Sequence, residues 1–274
     1  IDENLELSNS SENKRDPKFN DFLFKESIRN LYLSYNLSNV GEEYQVITIT
    51  SSISSEGKSF LNAMIAKSAN QLGKKVLIID ADLRKPTMQN LFSIENIVGL
   101  SNVLTDNNTS WKDVINKVEN ENNLYLMTSG PIPPDSVRLL SSNAMTKLIS
   151  SIKDSNMFDL IVLDVPPVVG LADASYTFKN VDAIALICSL ENVPRSLSIE
   201  ACRIIKNNPN ASLVGIVVNE VNDRAKNTKI NSGYNDYYYY SYYYASNEDD
   251  QKTNEVKESF IKRLSNKLLK FLNK

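Results

Sequence analysis

Six short apolar runs rich in β-forming residues constrain this 274-residue chain more than any other feature; they fall at 45–50, 75–79, 124–128, 160–163, 183–188 and 213–218. Helical patterns separate them, at about 58–72, 86–92, 110–118, 136–153, 172–178 and 195–207. Runs that are apolar almost throughout are strands buried on both faces, and strands alternating with helices pair in parallel. The expected fold is therefore α/β, a doubly wound and mostly parallel sheet flanked by helices, with ligands at the carboxyl ends of its strands. Phe22, Leu23, Ile28, Leu31, Tyr32 and Tyr35 add an amphipathic helix over about 19–38, ahead of the first strand.

Composition removes several kinds of chemistry. The chain has no histidine, which excludes Ser-His-Asp and Cys-His catalysis and leaves proton transfer to a carboxylate, lysine, tyrosine or water. Two distant cysteines, Cys188 and Cys202, form no metal-binding or redox pair motif and read as buried thiols of a cytosolic protein. A net charge of -3 without a basic stripe argues against nucleic acid as a partner. No run approaches the roughly 18 apolar residues of a membrane span. The opening Ile1 suggests a piece excised from a longer protein.

The first strand runs into Ser52-Ile53-Ser54-Ser55-Glu56-Gly57-Lys58-Ser59, followed at once by a helix. Strand, loop and helix in this order are what a phosphate-binding P-loop requires. The backbone from Ser55 through Glu56, Gly57, Lys58 and Ser59 to Phe60 is expected to face the phosphates, helped by the positive end of the helix. Lys58 is expected to reach the β- and γ-phosphates and the Ser59 hydroxyl to ligate Mg²⁺. Ser52 stands where the motif has its first glycine. Two further strands end in acid: the second in Asp80-Ala81-Asp82-Leu83-Arg84, the fourth in Asp164-Val165-Pro166-Pro167. Asp82 and Asp164 are expected to hold Mg²⁺, largely through water, and Arg84 to stand beside the nucleotide. The cofactors read from this set are ATP and Mg²⁺, in a fold of the P-loop NTPase type.

Taken together, these motifs resemble those of the bacterial tyrosine kinases that act with capsular and exopolysaccharide co-polymerases. A tyrosine-rich C-terminal stretch completes the likeness: Tyr234, Tyr237, Tyr238, Tyr239, Tyr240, Tyr242, Tyr243 and Tyr244 are eight of the chain's thirteen tyrosines. The resemblance implies an ATP-dependent protein-tyrosine kinase that phosphorylates this cluster on another copy of itself and regulates polysaccharide synthesis and export. It also implies a homo-oligomer, possibly a ring, made through a helix carrying Glu26 and Arg29, although Tyr32 fills the family's last arginine position. A transmembrane activator segment, fused or separate, and a tyrosine phosphatase are the implied partners, at the inner face of the plasma membrane. The alternative is a partitioning-type P-loop ATPase acting as an assembly module. Those carry an additional lysine early in the loop, where this chain has Ser51 and Ser52.

A tyrosine hydroxyl titrates near ~10, so a base must take its proton; Asp80 is the first choice and Asp82 the second. Asn219, at the end of the last strand, is placed beside the adenine by analogy with related P-loop proteins. The expected organisation is a polar lead-in at 1–18, the α/β domain with its N-terminal helix at 19–226, a tyrosine-rich tail at 227–254 and a basic amphipathic helix at 255–274. That last helix has the composition to lie on an anionic membrane surface.

Overall fold

The computed structural model describes residues 17–37, 44–106, 108–190 and 193–219. The tyrosine cluster and the basic segment at 255–274 lie outside the described residues. Among the described residues, those from Phe24 to Asn219 make up one compact unit.

The element order is α1 (Pro17–Leu37), β1 (Val46–Ser51), α2 (Lys58–Gln71), β2 (Val76–Asp80), α3 (Met88–Phe92), α4 (Leu100–Thr105), β3 (Ile115–Lys117), β4 (Leu124–Met127), α5 (Ser136–Ser141), α6 (Asn143–Asp154), β5 (Leu160–Asp164), α7 (Ala172–Thr177), β6 (Ala183–Ser189), α8 (Arg195–Asn207) and β7 (Leu213–Asn219). The strands form one sheet in the order β3-β4-β2-β5-β1-β6-β7. Every pairing is parallel except that of β3 with β4. The alternating apolar runs thus become the doubly wound sheet they predict.

Successive side chains of a strand point to opposite faces, so each buried strand feeds two cores. Val46, Leu77 and Ile161 pack on one side, with apolar residues of α4 to α8. Ile47, Ile78 and Val162 pack on the other, beneath α1, α2 and α3. α1 joins through Ile28, Tyr32 and Tyr35, one face of a helix. Tyr35 also donates its hydroxyl to the Thr48 carbonyl at 2.8 Å, tying α1 to β1.

Two expectations about elements change. The helical pattern over 110–118 becomes a 3₁₀ turn at Trp111–Asp113 and the antiparallel strand β3. Trp111 and Val114 bury on one side of the sheet and Val118 on the other, which a single helical stripe cannot do. The pattern over 136–153 splits into α5 and α6, because Ser142 leaves the helical conformation and its hydroxyl accepts the N–H of Met145 as an N-cap.

Candidate active site

The loops that follow β1, β2 and β5 meet at one edge of the sheet, because β5 lies between the other two strands. Asp80 and Asp164 are register partners at the ends of β2 and β5, which brings two carboxylates side by side inside the protein. Both are fully buried.

The β1–α2 loop binds itself into shape. Ser55 and Gly57 take left-handed conformations, at φ 73 and 98, turning successive backbone N–H groups toward a common side. A Cβ on Gly57 would stand 3.1 Å from Asn219 Nδ2, a tight approach that adds to the demand its φ makes for glycine. Glu56 turns inward: its carboxylate accepts from the Ser52 hydroxyl, from Ile53 N at 2.8 Å and from Ser189 N at 3.0 Å. Ser52 therefore replaces the expected glycine with a side-chain clamp. Glu56 scaffolds the loop and leaves only its backbone available to a phosphate. An acidic residue in a loop built for anions is itself the signal, since facing the ligand it would repel it. Asn219 donates to the Glu56 carbonyl at 3.1 Å and so also holds this loop.

Lys58 collects the oxygens predicted to hold the metal. Its Nζ lies 2.8 Å from Asp82 Oδ2, 3.5 Å from Asp164 Oδ2 and 3.0 Å from Ser59 Oγ. Burial pulls the ammonium down, but the carboxylates of Asp164 and Asp82 outweigh it and leave Lys58 above its ordinary value. Burial drives the Asp164 carboxyl up, against the opposing pull of Lys58. Asp164 Oδ1 accepts from Asn62 at 2.8 Å, whereas Oδ2 has no hydrogen-bond partner. Asn62 also exchanges two hydrogen bonds with the backbone of Ile49, locking α2 to β1. It was not foreseen; an amide within the buried face of a helix is the clue that could have found it.

The two candidate bases separate. Asp80 accepts three backbone N–H groups, from Asp82 at 3.2 Å, Thr87 at 3.1 Å and Met88 at 3.0 Å. Burial, reinforced by the neighbouring Asp164 charge, pushes its carboxyl up to about 7. Asp82 instead lines two cavities. One, of about 390 Å³, is bounded by Ser55, Gly57, Lys58, Ser59 and Phe60 of the phosphate loop. The other, of about 550 Å³, lies between the turn after β2 and the segments holding Ile132, Pro133, Pro134 and Leu171. Arg84, expected beside the nucleotide, lines this second cavity instead. It grips the buried Asp173 through Nε at 2.9 Å and a second nitrogen at 3.1 Å, while Ser136 donates to the same carboxylate at 2.6 Å. Asp173 was not foreseen, since 89 residues separate it from Arg84. Glu26 and Arg29 pair with each other at 3.0 Å along α1.

The residues fit Mg²⁺. Among the described residues no three His, Cys, Asp or Glu side chains form a metal cage. Mg²⁺ asks for no such cage: one or two protein oxygens suffice when phosphates and water complete its octahedron. The Oδ2 of Asp164, which accepts no hydrogen bond and faces Lys58 at 3.5 Å, supplies that kind of set together with Asp82 and Ser59.

The CobQ/CobB/MinD/ParA nucleotide binding domain matches residues 47–251. The Bacillus subtilis tyrosine-protein kinase YwqD is 38% identical over 167 residues, covering 61% of this chain and 69% of that protein. The putative tyrosine-protein kinase CapB of Staphylococcus aureus is 33% identical over 196 residues, covering 72% of this chain and 84% of its own. The chain belongs to the bacterial tyrosine kinases. The solved kinase domain of the Escherichia coli tyrosine kinase ETK superposes with a TM-score of 0.68 at 27% identity, covering 73% of this chain and 77% of that one.

Proposed function

We propose that this kinase transfers the γ-phosphoryl group of ATP to tyrosine hydroxyls, its main acceptors being Tyr234, Tyr237, Tyr238, Tyr239, Tyr240, Tyr242, Tyr243 and Tyr244 of another copy. One observation carries the reading: Asp82 lines both a phosphate-loop cavity of about 390 Å³ and a second cavity of about 550 Å³, whose mixed lining includes Ile132, Pro133, Pro134 and Leu171. ATP lies along the loop, its phosphates on the backbone N–H groups from Ser55 to Phe60 and on Lys58. Ser59, Asp82 and Asp164 would hold Mg²⁺. That ion neutralises phosphate charge when bound.

The acceptor ring enters between Ile132, Pro133 and Leu171. Its oxygen attacks the γ-phosphorus as the bond to ADP breaks, and its proton passes to a carboxylate. Geometry ranks before acidity in choosing that base. The about-7 value of Asp80 suits the task, but its oxygens face three backbone N–H groups. Asp82, which lines both cavities, takes the proton, and Asp80, which lines neither, positions the turn that carries it. This reverses the order expected from sequence.

The remaining family-derived roles belong to the same reading. These are a homo-oligomer through Glu26 and Arg29, activation by a transmembrane co-polymerase segment, reversal by a tyrosine phosphatase, and control of capsular or exopolysaccharide synthesis at the inner face of the plasma membrane. Among the described residues no helix is long and apolar enough to cross a membrane.

The test mixes two chains: an intact centre ending at residue 233, and a full-length Asp82→Asn chain. Phosphotyrosine should appear on the full-length chain only in the mixture. Self-phosphorylation of Asp82→Asn at the unsubstituted rate would overturn the assignment of Asp82. An unmodified full-length chain in the mixture would overturn transfer between copies.

A further inference from the structure

Lys85 stands at the boundary between the two cavities, and none of the roles above uses it. Three residues line both cavities: Ser54, Asp82 and Lys85. The turn that presents Lys85 is held firmly. Its own N–H donates to Asp82 Oδ1 at 3.1 Å, and just beyond it the N–H groups of Thr87 and Met88 are fixed on Asp80. On either side Leu83 and Met88 are anchored in the two cores.

The cations of these cavities are otherwise committed. Lys58 is shared between Asp82 and Asp164, and Arg84 is held by Asp173. Lys85 is exposed, and among the described residues its ammonium makes neither an ion pair nor a hydrogen bond. We propose that Lys85 is a further catalytic residue, whose ammonium contacts the phosphoryl oxygens while the group passes from the nucleotide cavity to the acceptor cavity.

Phosphoryl transfer involves little covalent chemistry for a protein to perform, so a cation set along the path acts by stabilising redistributed charge. Lys85 neither gains nor loses a proton. The bond from the tyrosine oxygen to phosphorus forms, the bond from phosphorus to ADP breaks, and the tyrosine proton goes to Asp82. This inference rests on the kinase reading.

The experiment compares the full chain with Lys85→Met and Lys85→Arg, measuring kcat, both KM values and MgATP affinity. Lys85→Met should lower kcat by about 10²-fold or more. ATP KM and MgATP affinity should stay within about threefold, and Lys85→Arg should recover much of the loss. The thermal midpoint should hold, because the side chain is exposed. A Lys85→Met kcat within about threefold of the parent, a loss confined to the tyrosine KM, or a fall in MgATP affinity matching the fall in rate would each overturn the inference. A parent chain that binds MgATP and forms no phosphotyrosine would overturn the kinase reading and this inference with it. A parent that is active beside an equally active Lys85→Met overturns the inference alone.

Discussion

Lys58 serves the fold in its own right. Its ammonium is what allows Asp82 and Asp164 to share a dry corner, with Asp80 in register beside them. Removing one partner of a buried ion pair strands the others, at a cost of about 3–5 kcal/mol. Lys58→Met should therefore lose about that much stability in urea unfolding. Adding Asp164→Asn should give part of it back, because the two sites act through one contact. Strictly additive losses would contradict the shared contact. Asp173 yields a pH dependence. Burial alone would raise its carboxyl, but Arg84 and Ser136 outweigh burial and hold it below the usual carboxylate range. The unfolded chain then binds the proton more readily, so the contribution is complete above about pH 4 and lost as pH falls through the lower folded value. The urea midpoints of the parent and Asp173→Asn should differ at pH 7, and the gap should narrow as pH falls below about 4. A gap that does not change as the pH is lowered through the acid range would exclude the linkage.

At the scale of elements, α4 shows how closely two segments of backbone approach each other after β4. Leu100 and Ser101 donate their N–H groups to the carbonyls of Thr128 and Ser129, each at 2.8 Å, fixing the chain after β4 where it turns toward the second cavity. Gly99 makes that approach possible. Its backbone is ordinary extended chain, but a Cβ would lie 2.2 Å from the Thr128 carbonyl oxygen and 2.4 Å from Gly130 N. Gly99→Ala should cost about 1–3 kcal/mol, lowering the thermal midpoint by several degrees; an unchanged midpoint would show that the loop yields freely. No periodic pattern announced α4, since six residues with one apolar stripe are too short to display one. The five interior strands β1, β2, β4, β5 and β6 were legible for the opposite reason: flanked on both faces, they spell continuous apolar runs that surface polarity does not interrupt. β7 spells a similar run, although it is an edge strand with Ile216 and Val218 exposed. β3 was not legible, because as an edge strand it carries only three residues, and its buried neighbours Val114 and Val118 mimic helical spacing.

At the scale of the whole molecule, topology turns three separate motifs into one centre. Lys58, Asp82 and Asp164 could be read from sequence because each sits at a strand's carboxyl end, where a parallel sheet gathers its ligands. The grip of Asp173 on Arg84, the lock of Asn62 on Asp164 and the inward turn of Glu56 depend on partners far along the chain, and only the folded sheet brings them together. The same topology leaves two cavities that share Ser54, Asp82 and Lys85. The most direct test is to incubate the full chain with MgATP and map phosphotyrosine by mass spectrometry, with Lys58→Met as the control below its unfolding temperature. Phosphate concentrated at residues 234–244 and absent from the control is the predicted result. Release of ADP with no phosphotyrosine anywhere in the chain would contradict it.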